Sequence, residues 1–119
     1  MEWLKKTVVI VAVLGMVAFV YLPFSSADEW DDIQQKIRDA KTAADHQALA
    51  AFYEKEAQAA HKLHNTHVTM EAAYAASRIR QEKGRPTEHC TVLADKYRDV
   101  AKEYEALAAF HKTMAEQLK

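Results

Sequence analysis

The chain has 119 residues, half of them hydrophobic, with 16 lysines and arginines against 17 aspartates and glutamates. A net charge of −1 gives no electrostatic reason to expect nucleic acid or anionic lipid as a partner. Cys90 is the single cysteine, so the chain cannot form an internal disulfide. Cys90 could instead form an intermolecular disulfide, bind a metal, stay a free thiol or pack as a small buried residue.

The N-terminal segment has the features of a secretory signal peptide. Two lysines precede an apolar run over residues 7–22, and Ser25-Ser26-Ala27 offers small residues at the −3 and −1 positions of a cleavage site. We expect removal of residues 1–27, which predicts a periplasmic or secreted protein. An uncleaved membrane anchor is the alternative, because the run is close to the ~17-residue minimum of a spanning helix.

The remainder, residues 28–119, is predicted to be one all-α domain. Its single glycine and single proline stand together in KGRPTE, which indicates a turn with Gly84 past one helix end and Thr87 as the N-cap of the next. We predict a short amphipathic helix over about 28–41, then long helices over about 43–83 and 88–118. The predicted fold is a long, coiled-coil-like antiparallel helical hairpin.

A capping box separates the first two predicted helices. Thr42 is followed three residues later by Asp45, and the apolar pattern of Trp30 and Ile33 differs in heptad phase from that of the residues after Asp45. One continuous helix with a stutter is the alternative.

The last helix repeats one pattern over four heptads: C-x-x-L-A, Y-x-x-V-A, Y-x-x-L-A and H-x-x-M-A. The pattern predicts a packing face with a column of alanines that lets a neighbouring helix approach closely. A weaker form begins at His46 in the preceding helix. A hairpin this long cannot surround its own core, so we expect the short helix to fold back on it, two copies to dimerise, or both.

Motifs of common enzymes are missing, and we expect no enzymatic activity. Ser77 is the only serine after residue 27 and lies in a helical run, and there is no glycine-rich loop for phosphates. The sequence also lacks a C-x-x-C-H haem site and the Glu-x-x-His element of di-iron bundles.

Histidines carry the remaining functional signal. His61, His64, His67 and Met70 follow each other at three-residue intervals, which wind obliquely around a helix and do not converge on one point. With a turn centred near Arg85, the returning helix would bring His111 level with about residue 59.

This register predicts a metal site in which His61, His64 and His111 converge with Met114 nearby. Imidazole and thioether ligands together favour copper, whereas imidazoles with a carboxylate favour zinc, nickel or cobalt. No cofactor is certain from the sequence, and a Cu or Zn ion is the candidate.

Other interpretations of the histidines stay open. His67 and Met70 are expected in the packing face, and His89 with Cys90 is a second metal or redox position at the hairpin tip. Helical packing without a metal, and a pH response through histidine protonation, are the alternatives to metal binding.

The signal segment followed by the alanine-rich C-x-x-L-A to H-x-x-M-A helices resembles small exported helical proteins of Gram-negative bacteria. The architecture is also similar to the periplasmic metal-resistance and chaperone hairpins, although their L-T-x-x-Q signature is absent. The resemblance implies an envelope protein that binds a metal, or a chaperone-like scaffold acting through protein contacts. The expected partner is a second copy or another envelope protein, and a membrane only if the signal segment stays uncleaved.

Overall fold

A computed structural model describes residues 24–81 and 84–119, which form an antiparallel helical hairpin with a short helix packed against it. Helix α1 spans Ala27–Asp39, α2 spans Ala43–Ala76, a 3-10 turn follows at Arg78–Gln81, and α3 spans Pro86–Gln117. The predicted all-α hairpin is therefore confirmed. Residues 1–23 of the predicted signal peptide lie outside the described residues. None of the described helices has the length and hydropathy that a membrane crossing requires.

The capping box predicted at Thr42 starts α2. Thr42 Oγ1 accepts a hydrogen bond from the backbone N–H of Asp45 at 3.1 Å, and Asp45 Oδ2 accepts from the N–H groups of Lys41 and Thr42 at 2.9 Å each. These backbone donors stabilise the carboxylate and hold the pKa of Asp45 below its usual value. The break between α1 and α2 favours two helices over a stutter in one.

Both inner ends of the hairpin differ from the predicted boundaries. Helix α2 stops at Ala76 and not at 83, and Ser77 closes it by donating from its backbone N–H and its hydroxyl to the carbonyl oxygen of Tyr74. Helix α3 begins at Pro86, because proline has the φ angle of a first helical residue, and its N-cap is Arg85 at φ 45° in place of Thr87. The middle of the connection thus moves from Arg85 to about residue 81, halfway between Ala76 and Pro86.

Small side chains line the contact between α2 and α3. The four alanines that repeat along α3 are all buried, and so are three on the facing side of α2: Ala94, Ala101, Ala108, Ala115, Ala50, Ala57 and Ala60. Because an alanine projects only one methyl group, the two helix backbones approach closely along this contact.

The larger core residues lie where α1 crosses the hairpin. Trp30 meets Phe52 edge to face with ring centroids 5.0 Å apart, and its ring also lies 6.1 Å from that of Tyr104 on α3. Ile33, Leu49 and Tyr53 complete this cluster. The short helix therefore folds back as the third member of the bundle.

The alanine column predicts a sharp difference between two leucine substitutions on α3. Ala101→Leu places a larger side chain at a position with no exposed surface and should lower the free energy of unfolding by about 1–3 kcal/mol through overpacking. The matched substitution Ala106→Leu, on the exposed side, should change it by less than about 0.5 kcal/mol. Urea unfolding followed by circular dichroism measures both, and equal values would contradict close packing along the column.

Candidate functional site

Two histidines from opposite helices face each other near the open end of the hairpin. His46, in the first turn of α2, and His111, near the end of α3, are both buried, and their Nδ1 atoms lie 2.9 Å apart. The two rings overlap, with centroids 5.2 Å apart and planes 27° from parallel. At this distance one imidazole donates its Nδ1 hydrogen to the unprotonated Nδ1 of the other.

Aromatic rings enclose the pair. Tyr53, two turns after His46 on α2, stacks on His111 at 5.7 Å with the planes 10° apart, and Tyr104 stacks on Tyr53 at 6.2 Å. Phe110 meets His111 edge to face at 5.1 Å. The result is a row of stacked rings along the hairpin, with a polar nitrogen contact at its end.

The surroundings of His111 favour its neutral form. Burial lowers the pKa of His111 below its usual value, and the charge of His46 lowers it further. Burial also raises the pKa of Tyr53, so this phenol stays neutral and cannot balance a positive charge on the imidazoles. Protonation of both histidines would place two positive charges in direct contact.

As a chemical site, the pair supplies two nitrogen ligands or one shared proton. Zinc ordinarily needs four ligands, or three with a water, and the described part of the chain contains no group of three or more His, Cys, Asp or Glu side chains placed to hold a metal. Met114 lies one turn after His111 and is half-buried. Imidazole with thioether is a ligand set suited to copper.

The structure places the residues of the predicted metal site in separate surroundings. His61 Nε2 contacts Glu105 Oε1 at 2.6 Å, whereas His64 Nδ1 donates to the carbonyl oxygen of Ala94 at 2.9 Å. His111 contacts His46 and not these two residues. Metal binding by His61, His64, His111 and Met114 stays a prediction. In the described contacts, none of the three histidines has another of the three as its partner.

The shifted register explains these partners. His111 was expected level with about residue 59, yet it faces His46, which is 13 residues earlier and roughly 20 Å away along the helix. Because α2 ends at Ala76, the centre of the hairpin lies earlier in the sequence than was expected. The numbers of two facing residues add up to twice the number of the central residue, so moving the centre by one residue moves the residue that faces His111 by two. The earlier end of α2 therefore accounts for most of the difference.

Of the other residues singled out in the sequence, some lie where they were predicted and others do not. His67 packs between the helices as expected, stacked on Tyr97 at 5.5 Å with the planes 6° apart, whereas Met70 is exposed. Cys90 is a buried free thiol within the single chain, and His89 beside it is exposed.

A second buried polar contact involves Glu56 on α2. Its side chain has no exposed surface, and its carboxylate accepts hydrogen bonds from the backbone N–H and the hydroxyl of Ser25. Burial raises the pKa of the Tyr104 phenol, and the nearby negative charge of Glu56 raises it further. The α2 helix thus holds a charged residue at a position of its packing face where the repeat otherwise places apolar or aromatic groups.

Sequence reasoning missed both buried contacts, although signals for them existed. His46 and His111 begin the same short pattern, H-x-x-L-A and H-x-x-M-A, at opposite ends of facing antiparallel helices. Glu56 occupies a packing position in the series from His46, so an acid there required a partner. The identity of that partner, Ser25, was hidden because it belongs to the predicted signal segment.

Comparisons of the chain with protein-family models, with curated proteins and with solved structures found no match.

The buried imidazole of His111 predicts a loss of stability in mild acid. The pKa of His111 is lowered in the folded state, so the unfolded chain binds a proton first as the pH falls below about 6.5. The free energy of unfolding should therefore decrease between about pH 7.5 and 5.5, a window above the range in which carboxylates titrate.

Urea unfolding at several pH values measures this slope. His111→Gln should flatten it, because glutamine does not titrate in this range. A wild-type slope that survives in His111→Gln would mean that the pair is not the pH-sensitive element.

Proposed function

We propose that this protein is a non-enzymatic, exported helical scaffold that works through protein contacts, with a second copy of itself as the first partner. The observation that carries the proposal is a row of apolar side chains on α3 that the chain itself leaves about 40% exposed: Leu93, Val100 and Leu107. We call this row the leucine stripe. Its members recur every seven residues, the spacing of a helix that packs lengthwise against another helix.

Close packing of the alanines leaves the stripe partly exposed among the residues that the structure describes. When two backbones approach at alanine positions, the larger residues beside that contact are displaced to its flank. Phe110 extends the apolar surface and is 57% exposed. A second hairpin packed on the stripe would complete a bundle with a core that one chain cannot build.

Charges beside the stripe favour an antiparallel arrangement of two copies. Lys96 and Glu103 are exposed and occupy the same heptad position, one on each side of Val100. If a two-fold axis passes near Val100, Lys96 of each copy lies opposite Glu103 of the other. A parallel arrangement would instead place lysine against lysine and glutamate against glutamate.

The same axis pairs the outer residues. Leu93 of one copy falls level with Leu107 of the other, and the exposed His89 falls level with Phe110. Apolar, charged and aromatic positions of α3 are therefore self-complementary about one point. This agreement at three successive levels is the reason for choosing a second copy over an unrelated partner.

Substitution in the stripe should break the dimer. Val100→Lys places two like charges at the proposed axis and should weaken self-association by at least about 100-fold, the cost of desolvated like charges. Val92→Lys, a matched change at a 50% exposed valine outside the stripe, should have little effect. Sedimentation equilibrium measures both, and a wild-type chain that stays monomeric at about 100 µM would contradict the proposal.

A charge reversal tests the orientation of the two copies. Lys96→Glu alone and Glu103→Lys alone should each weaken association, because each creates two like-charge pairs across the axis. The double variant restores opposite charges and should recover most of the wild-type affinity. Additive losses in the double variant would exclude the antiparallel arrangement.

The histidine pair favours a second function, binding of a copper ion. Two facing imidazole nitrogens on different helices, with the thioether of Met114 one turn away, form a ligand set for Cu(I). An ion would take the place of the shared proton, and the Nδ1 atoms would separate to about 4 Å, twice a metal–nitrogen bond length. This version of the metal hypothesis moves its centre from His61 and His64 to His46.

Competition with a Cu(I) chelator under anaerobic conditions tests this function. One ion per chain should bind with a dissociation constant below about 1 µM, and His46→Ala or His111→Ala should each weaken binding by at least about tenfold. His61→Ala and His64→Ala should not change it. Loss of binding in His64→Ala would restore the site expected from the sequence, and only millimolar binding in the wild type would remove both.

A further inference from the structure

The buried carboxylate of Glu56 binds the short segment that precedes α1. Ser25 donates its backbone N–H to the two carboxylate oxygens at 3.2 and 3.4 Å, and its hydroxyl donates to Oε1. Within the described ranges, Ser25 supplies all the hydrogen bonds that this carboxylate receives. A buried charge without such donors is strongly destabilising, so α2 depends on this residue from outside the hairpin.

Neighbouring residues fix the same segment on both sides. Lys55 Nζ donates to Ser25 Oγ at 3.2 Å and to Glu29 Oε1 at 2.6 Å, which lowers the pKa of Glu29. Phe24 stacks on Tyr97 of α3 with ring centroids 6.3 Å apart, and the Ser26 hydroxyl caps α1 by accepting from the N–H of Glu29.

These contacts conflict with the expected processing. Cleavage between Ala27 and Asp28 would remove Phe24, Ser25 and the Ser26 cap together. Glu56 would then lose the hydrogen bonds that its carboxylate receives from Ser25. In the fold, Ala27 is moreover the first residue of α1, and Ser25, the other small residue of the cleavage motif, is held against Glu56.

We propose that Glu56 is a docking site for a retained N-terminal segment, and that the working protein keeps residues 24–27. The segment then acts as a strap across α2 and α3, with Ser25 bound to Glu56 and Phe24 seated on Tyr97. An upstream apolar run that stays attached through this strap would hold the hairpin beside the membrane.

The direct test is the mass of the intact protein. The full chain is expressed in a Gram-negative host, recovered from both membrane and soluble fractions, and its N-terminus is read from intact-mass and peptide spectra. The proposal predicts that residues 24–27 are present in the protein from every fraction. A mature chain beginning at Asp28 would overturn it.

A second measurement tests the docking contact in the full chain held in mild detergent. Ser25→Ala removes the hydroxyl donor and leaves a small residue in the cleavage motif, and it should lower the thermal midpoint by roughly 5 °C. Ser25→Thr keeps the hydroxyl and should retain the wild-type midpoint. In a Glu56→Leu background, which removes the acceptor, Ser25→Ala should have a much smaller effect, limited to the loss of the hydrogen bond from Lys55 to the Ser25 hydroxyl.

Failure of these variants also has a clear meaning. If Ser25→Ala leaves the midpoint unchanged, or lowers it equally in the presence and absence of Glu56, Ser25 does not dock through this carboxylate and the proposal is wrong.

Discussion

The close approach of α2 and α3 along their alanines is the constraint on which the rest of the structure depends. Ala60 and Ala101, which have no exposed surface, leave no space for a larger side chain between the helices. The register is thereby fixed, because a shift by one residue would bring larger neighbours into the narrow contact. The contact between His46 and His111 lies beside this column, and the register decides which residues of α2 and α3 face each other.

Three consequences follow from such a thin contact. Leu93, Val100 and Leu107 are displaced to the flank, where they form an apolar surface suited to another helix. The aromatic residues collect on the side that α1 covers, with Trp30 spanning α2 and α3. A hairpin with so few large buried residues has a small hydrophobic contribution to stability, so the contacts that α1 and the preceding segment make with it gain importance.

Much of this architecture could be predicted from the sequence, because helix periodicity and capping are local. The heptads of α3, the Thr42 capping box and the turn near Gly84 all agree with the structure in kind. Prediction failed for the end of α2, where Ser77 terminates a run of good helix formers through a contact with Tyr74. That error of several residues was doubled across the hairpin, so His111 was assigned to the wrong turn of the facing helix.

Polar contacts between residues far apart in the sequence were the second feature that the sequence could not predict. The sequence shows that Glu56 and His46 occupy packing positions, but only the tertiary structure supplies Ser25 and His111 as their partners. Ser25 belongs to the predicted signal peptide and yet donates hydrogen bonds to Glu56 in the described part of the chain. A prediction that excludes such a segment from fold reasoning cannot find the donor for a buried acid.

The register of α2 and α3 is tested most directly by nuclear Overhauser effects between histidine ring protons in the folded protein. The structure predicts contacts of the His111 ring with His46 and Tyr53, and none between His111 and His61. Contacts between the His111 and His61 rings, with none to His46, would contradict the register and the sites derived from it.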